Sequence, residues 1–215
     1  ILATASEQPD AINLKGRIAL DEGRTEQARE LIEQAIRLYP GKAAFWTNRG
    51  FVSLVQQQFD QAESYFTQAL VYDKASIQAF AAIALCYYLK QDFIGAFMRY
   101  RSLLHKDAIN LAGTHALAEC CSYLTADHYD ETLETDLIRL FSIDGLNHSL
   151  LSQLASSILV HKFDLENDEC VLDIDALAKD ELLIALLEKG DLCHTRIEEL
   201  ATLLRRQILV EVAQS

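Results

Sequence analysis

The chain has 215 residues, half of them apolar, with only two prolines and eight glycines, so it can bury a core and favours long helices over a turn-rich sheet. The formal charge of −13 lies wholly in the second half: residues 1–110 carry 12 Lys and Arg against 12 Asp and Glu, and residues 111–215 carry 7 against 20. No basic stripe stands out, which argues against nucleic acid and anionic membrane surfaces as partners, and the apolar runs are too short to span a bilayer.

The sequence opens on Ile1-Leu2 with no basic n-region and no initiator Met. That reads as a piece of a longer protein, without a signal peptide. Helices are expected near 10–23 and 25–39, where Ile12, Gly16, Ala28, Ile32 and Ala35 fall at helical spacing. Thr25 is the expected N-cap of the second helix, its hydroxyl accepting from an orphan amide. Pro40-Gly41 stops that helix. The pattern returns at 44–57 and 60–73 with Trp46, Gly50, Phe59, Ala62, Phe66 and Ala69. It returns again at 77–90 and 93–106 with Phe80, Ala84, Tyr87, Phe93, Ala96, Tyr100 and Leu103. Gly16, Gly50 and Ala84 are 34 residues apart, and so are Ala28, Ala62 and Ala96. Small residues at the first set let two helices cross closely, while Trp46, Phe66, Phe80 and Tyr100 fill the space around the crossing. One helix pair cannot bury its apolar faces alone, so successive pairs stack.

A fourth first-helix is expected from Leu111 to about Thr125, with Leu117, Ala118 and Cys121 in register. The regularity then ends. Thr125 to His128 reads as a turn, Asp130 to Phe141 as an amphipathic helix, Asp144-Gly145 as a second turn, and Asn147 to Phe163 as an apolar helix. Asp164 to Asp175 is an acidic connector without a basic residue. Asp180 to Lys189 is a helix ended by Gly190, a residue suited to a C-cap. The last helix runs from Thr195, where T-R-I-E makes a capping box with Glu198, to about Val212. Its stripe of Ile197, Leu200, Leu203, Leu204, Ile208 and Leu209 is wide enough to imply burial.

Three gap-free copies with these residues at a period of 34 resemble the tetratricopeptide repeat (TPR). The resemblance implies an all-α fold: a right-handed superhelix of about three repeats, 9–42, 43–76 and 77–110, with a partial fourth from 111. These would form a TPR domain over 1–125, followed by a bundle of irregular helices over 126–215. It also implies a concave groove lined by the first helix of each repeat. In this chain the lining is Asn13, Arg17 and Leu20, then Asn48, Phe51, Leu54 and Val55, then Gln78, Ala82, Leu85 and Tyr88. One end is polar with Arg17 its one cation, and the other is apolar and aromatic. TPRs that clamp a chaperone tail by its terminal carboxylate use a Lys and Asn, then an Asn, then a Lys and Arg from successive repeats. Only Asn48 matches here. Asn13 and Arg17 replace the first pair, and Gln78 and Ala82 the last. A desolvated carboxylate would be poorly paired, so that subfamily is rejected. A second resemblance covers DELLIALLEKGDLCHTRIEELATLLRRQIL, Asp180 to Leu209. It is similar to a segment of bacterial proteins in which TPRs precede a transferase domain, commonly an S-adenosylmethionine-dependent methyltransferase. That places any catalytic domain beyond Ser215.

Other constellations read as structural. Cys86, Cys120, Cys121, Cys170 and Cys193 are odd in number with no CxxC, which suits buried thiols in a reducing cytoplasm. Asp164, Glu166, Asp168, Val171 and Asp175 imitate a calcium loop, but Glu169 stands where its sharp turn needs Gly. His115 with Glu119, and Cys193-His194, lack zinc or nucleophile spacing. Arg49 stands where the repeat usually has Leu, and snorkelling to an acid is the one role sequence offers it. The expected function is therefore a protein–protein interaction scaffold, holding a protein or peptide in the groove at Asn13, Arg17, Asn48, Phe51, Gln78, Leu85 and Tyr88. It is expected to be non-enzymatic, without cofactor or metal, and cytoplasmic. The alternatives are the substrate-binding portion of a transferase whose catalytic domain lies outside this chain, and a structural module with its groove filled by its own C-terminal helices or a second copy.

Overall fold

The computed structural model describes residues 8–104, 111–143, 148–166, 173–192, 194–195 and 197–202. Among these it is all-α, with no strand. The chain divides into two compact units, Ile1–Ile109 and Asn110–Ser215. No helix among the described residues is long and apolar enough to cross a membrane.

The first unit is three helix pairs: α1 (Pro9–Asp21) with α2 (Thr25–Leu38), α3 (Ala43–Val55) with α4 (Phe59–Tyr72), and α5 (Ile77–Leu89) with α6 (Phe93–Leu104). These bounds agree with the expected helices to within about two residues; residues 105–106 lie outside the described set. Each pair packs on the next through α2 against α3 and α4 against α5, while α1 touches α3 and α3 touches α5. The first helices therefore lie side by side.

The crossings explain the period. A Cβ added at Gly16 would lie 2.7 Å from Ile32 Cγ1, and one at Gly50 would lie 2.5 Å from the Phe66 ring. Around them Ala19, Ala28, Ile32 and Val52 form one buried cluster, and Ala62, Phe66, Ala82 and Cys86 another. A third joins Ile12, Ala35 and Phe45 between the first two pairs. Phe45 is fully buried, whereas its neighbour Trp46 is half-buried. Trp46 lies nearly parallel to Tyr72, and its indole N–H donates to the Pro40 carbonyl at 2.7 Å. The aromatic that seals this step is thus Phe45, and Trp46 instead ties the loop before α3 to α4.

The turn inside each pair also recurs. Gly23, Gln57 and Gln91, again 34 apart, have φ of 77°, 59° and 63°. The next amide reaches back five residues each time: Arg24 to Ala19, Gln58 to Ser53, and Asp92 to Tyr87, at 2.8–3.0 Å. This is the Schellman closure of the first helix. Thr25 is the first residue of α2 and not its cap. Arg24 takes the cap position with no side-chain bond, because the Schellman turn already fixes the entry to α2. Before Pro40, Tyr39 leaves the helical region at φ −147° and ψ 88°, as a residue preceding proline tends to do.

The second unit contains α7 (Leu111–Cys121), α8 (Glu131–Phe141), α9 (Ser149–Lys162), α10 (Ile174–Ala178) and α11 (Glu181–Lys189), with residues 197–202 also helical. α9 packs against α7, α8 and α11. Leu137, Leu151, Ala155, Leu183 and Leu186 are all buried at its core. Asp130, Asp173 and Asp180 cap α8, α10 and α11, accepting from Leu133, Ala176 and Leu183 amides at 2.6, 3.1 and 2.9 Å. Asp180 also accepts from Lys162 Nζ at 2.7 Å, and Lys162 donates to Glu134 at 2.6 Å. Gly190 is extended at φ −95° and so does not use glycine's left-handed freedom. A Cβ there would lie 2.5 Å from Leu186 Cδ1 and 2.9 Å from Ser152 Oγ, so close packing selects it. Ile1-Leu2, the Asp144-Gly145 turn, Asn147, residues 167–172 of the acidic connector, Cys193, Arg196 of the capping box and residues 203–212 of the last helix lie outside the described residues.

Candidate functional site

The face formed by α1, α3 and α5 gathers the expected lining unevenly. Asn13 and Arg17 are one turn apart on α1, and Asn48 and Phe51 one turn apart on α3. These four come together. Asn48 Nδ2 donates to Asn13 Oδ1 at 3.0 Å, and Arg17 Nη1 donates to Asn48 Oδ1 at 3.4 Å. The Arg17 guanidinium stands 5.5 Å from the centre of the Phe51 ring, whose edge packs on Phe66 at 5.2 Å. Arg17 Nε also donates to Asp21 at 3.1 Å, in an exposed pair. The cation is thus in contact with an acid, an amide and a ring at once.

On α5, Gln78 is exposed in the first turn, and Leu85 and Tyr88 are half-buried further along. Tyr88 meets Phe93 edge-on at 5.6 Å. Ala82, expected in the lining, is buried in the cluster with Ala62 and Phe66. Its small side chain lets α5 close on α4, which withdraws it from the face. Leu54 and Leu20 are half-buried and Val55 is exposed.

Two polar networks beside this face were not read from the sequence. Arg49 is almost fully buried. Its Nε donates to Glu33 Oε1 at 3.0 Å, its Nη1 to Ser53 Oγ at 3.0 Å, and its guanidinium lies 4.6 Å from the Tyr65 ring centre. Glu33 in turn accepts from Arg29 Nη1 at 3.1 Å, and Arg29 also pairs with Glu26. Arg49 therefore joins the second pair to the first by a satisfied buried charge. At the next step the Tyr87 hydroxyl donates to Glu63 at 2.8 Å, and Lys90 Nζ to Glu63 at 2.9 Å and Asp60 at 3.1 Å. Burial works against the Glu63 carboxylate, but Lys90 and the Tyr87 hydroxyl together hold its pKa below the ordinary value. The departure of Arg49 from the usual Leu was visible; its partner 16 residues back was not.

Cys86, Cys120 and Cys121 are buried free thiols. Burial pushes Cys86 up to about 11 and Cys120 up to about 12, which keeps both protonated and unreactive at neutral pH. Cys170 and Cys193 lie outside the described residues. Among the described residues no cluster of three His, Cys, Asp or Glu could hold a metal ion.

Residues 13–79 match the family model described as Tetratricopeptide repeat. No curated protein matches the sequence. Among solved structures, the chain resembles the Arabidopsis OM64 TPR domain at 22% identity and a TM-score of 0.52, covering 55% of this chain and 98% of that one. It resembles YrrB, a TPR protein with an unusual peptide-binding site, at 14% identity and a TM-score of 0.53 over 91% of this chain and 92% of that one. The first TPR of Spaghetti (RPAP3), bound to an HSP90 peptide, is similar at 18% identity and a TM-score of 0.51, covering 57% of this chain and 98% of that one.

Proposed function

We propose that this chain, a tetratricopeptide-repeat protein in its first unit, is an interaction scaffold that holds a segment of a partner protein along the face of α1, α3 and α5. One observation carries the reading: the Asn13–Asn48–Arg17–Phe51 cluster is assembled in advance, so a ligand meets fixed donors and acceptors beside a rigid ring. Pre-ordered groups cost less to immobilise on binding. The peptide bound to the first TPR of Spaghetti supports the mode, a segment held by repeats, but not the ligand. In this chain Arg17 is already paired with Asp21, and Gln78 and the buried Ala82 offer no charge to a carboxylate. The fitting ligand is a near-neutral segment, its backbone amides read by Asn13, Asn48 and Gln78 and its apolar side chains laid against Phe51, Leu85 and Tyr88.

The chain is a binding module and not itself a catalyst. The protonated buried thiols fit a reducing cytoplasm. The test is selection of peptides from a displayed random library on residues 1–215, followed by titration against Asn48→Ala. The selected peptides should be poor in Asp and Glu, and Asn48→Ala should weaken them about fivefold to tenfold, the loss of one or two hydrogen bonds. Acidic-tailed peptides unaffected by Asn48→Ala would overturn the reading.

A further inference from the structure

The hydrogen bonds inside the Asn13–Asn48–Arg17 cluster engage its oxygens and leave donors to spare. Arg17 can only donate, so the Asn48 atom that faces it, at 3.4 Å, is Oδ1. Asn48 Nδ2 is then the atom that donates to Asn13 Oδ1, at 3.0 Å. Both side-chain oxygens are thereby taken. Without a partner among the described residues are the second N–H of Asn48, both N–H groups of Asn13 Nδ2 and the rest of the Arg17 fork. All three side chains are half-buried. A segment laid over α1 and α3 therefore meets N–H groups, while its own N–H groups meet no uncommitted amide oxygen. A backbone N–H that loses water and gains no partner costs the full desolvation of that group. Proline has no N–H to lose, and the carbonyls around it remain acceptors. Because Arg17 is already paired with Asp21, the acceptors that suit the cluster are neutral carbonyls rather than carboxylates. On α5 the exposed Gln78 still offers an amide oxygen, so the bar on N–H groups applies to α1 and α3 alone.

On the footing that this face holds a partner segment, we infer that the segment is a polyproline II stretch of a partner protein, with proline where it crosses Asn13 and Asn48. Its carbonyl oxygens accept from Asn13 Nδ2, Asn48 Nδ2 and Arg17. A helical segment would keep its carbonyls in its own ladder, and an ordinary extended one would bring a donor with every acceptor. Polyproline II has no internal hydrogen bonds and advances about 9.3 Å in each turn of three residues. Packed helices lie roughly 8–10 Å apart, and α1 touches α3 as α3 touches α5. Every third residue can therefore return to the face at successive first helices. Phe51 and Tyr88 present rings there, the surface on which proline-rich segments dock.

The test titrates residues 1–215 with two labelled, uncharged peptides, three repeats of Pro-Pro-Leu and three of Ala-Ala-Leu, by fluorescence anisotropy. The proline peptide should bind about tenfold tighter than the alanine peptide, and Asn48→Ala should weaken it about fivefold or more. Asn13→Asp keeps the oxygen that Asn48 uses and replaces the spare donor by an acceptor. That variant should narrow the preference for proline to about twofold or reverse it, a change that neither loss of folding nor the stiffness of the proline peptide could produce. Circular dichroism and thermal midpoints check that both variants fold. Failure of the proline peptide to bind, binding indifferent to Asn48→Ala, or a preference untouched by Asn13→Asp overturns the proposal. Equal affinity for the two peptides, both weakened by Asn48→Ala, overturns it while leaving the groove as the binding face. Library-selected peptides that ignore Asn48→Ala would instead remove the groove reading and this inference together.

Discussion

At the scale of single residues the first unit depends on what is absent at Gly50 and what is paired at Arg49. Phe66 is fully buried, so its ring cannot swing away from a Cβ 2.5 Å distant. Gly50→Leu should lower stability by about 1–3 kcal/mol in urea unfolding, and a midpoint equal to wild type would place the crossing elsewhere. Arg49 makes the opposite case. Removing Glu33 strands a buried guanidinium, whereas replacing Arg49 removes the charge with its cost. Glu33→Ala should therefore cost about 1–3 kcal/mol, and Arg49→Leu with Glu33 kept should cost less, because Glu33 is half-exposed and still paired with Arg29. Equal losses would show that stranding the Arg49 guanidinium carries no cost of its own. The glycines at the crossing were legible because they recur at a fixed spacing. Phe45 was not, since the matching positions hold Ala11 and Ala79 and no period advertises it.

At the scale of elements, each helix pair turns on a left-handed residue, which only the first repeat makes glycine. A side chain in that region is strained by about 1 kcal/mol, part of which glycine returns through the freedom of the unfolded chain. Gln57→Gly should leave the thermal midpoint level or raise it, and Gln56→Gly, one residue earlier at φ −81°, should lower it. The reverse order would contradict the turn geometry. The junction of α4 with α5 carries a pH signature. The Glu63 pKa is lowered in the folded chain from 4.5, so its stabilisation is present above that ordinary value and fades as pH falls through the lower folded value. Acid unfolding followed below pH 4.5 should be shallower for Glu63→Gln than for the wild type; parallel curves would mean that the Glu63–Lys90–Tyr87 network is not formed. Helix positions were legible from periodicity. The networks were not, because pairing residues 16 to 30 apart requires knowing how two helices are rotated about their axes. In the second unit, where no repeat constrains that rotation, the helices could be read but not which of them pack together.

At the scale of the whole molecule, the acidic charge and the proposed binding face lie in different halves of the chain. The acidic surplus belongs to residues 111–215, while residues 1–110 are balanced. The candidate face holds one cation, already shared with Asp21 and Asn48. Sequence placed Asn13, Arg17, Asn48 and Phe51 on one side of their helices; only the structure shows that the four engage one another. A ligand should then draw most of its affinity from aromatic and apolar anchors and be little affected by ionic screening. The decisive measurement is titration of a library-selected peptide against the wild type, Tyr88→Ala and Arg17→Ala at low and high salt. Tyr88→Ala should cost about 2 kcal/mol of affinity, Arg17→Ala clearly less, and salt should change the wild-type value little. A steep loss at high salt with Tyr88→Ala harmless would contradict the account and move the binding site to the acidic second unit.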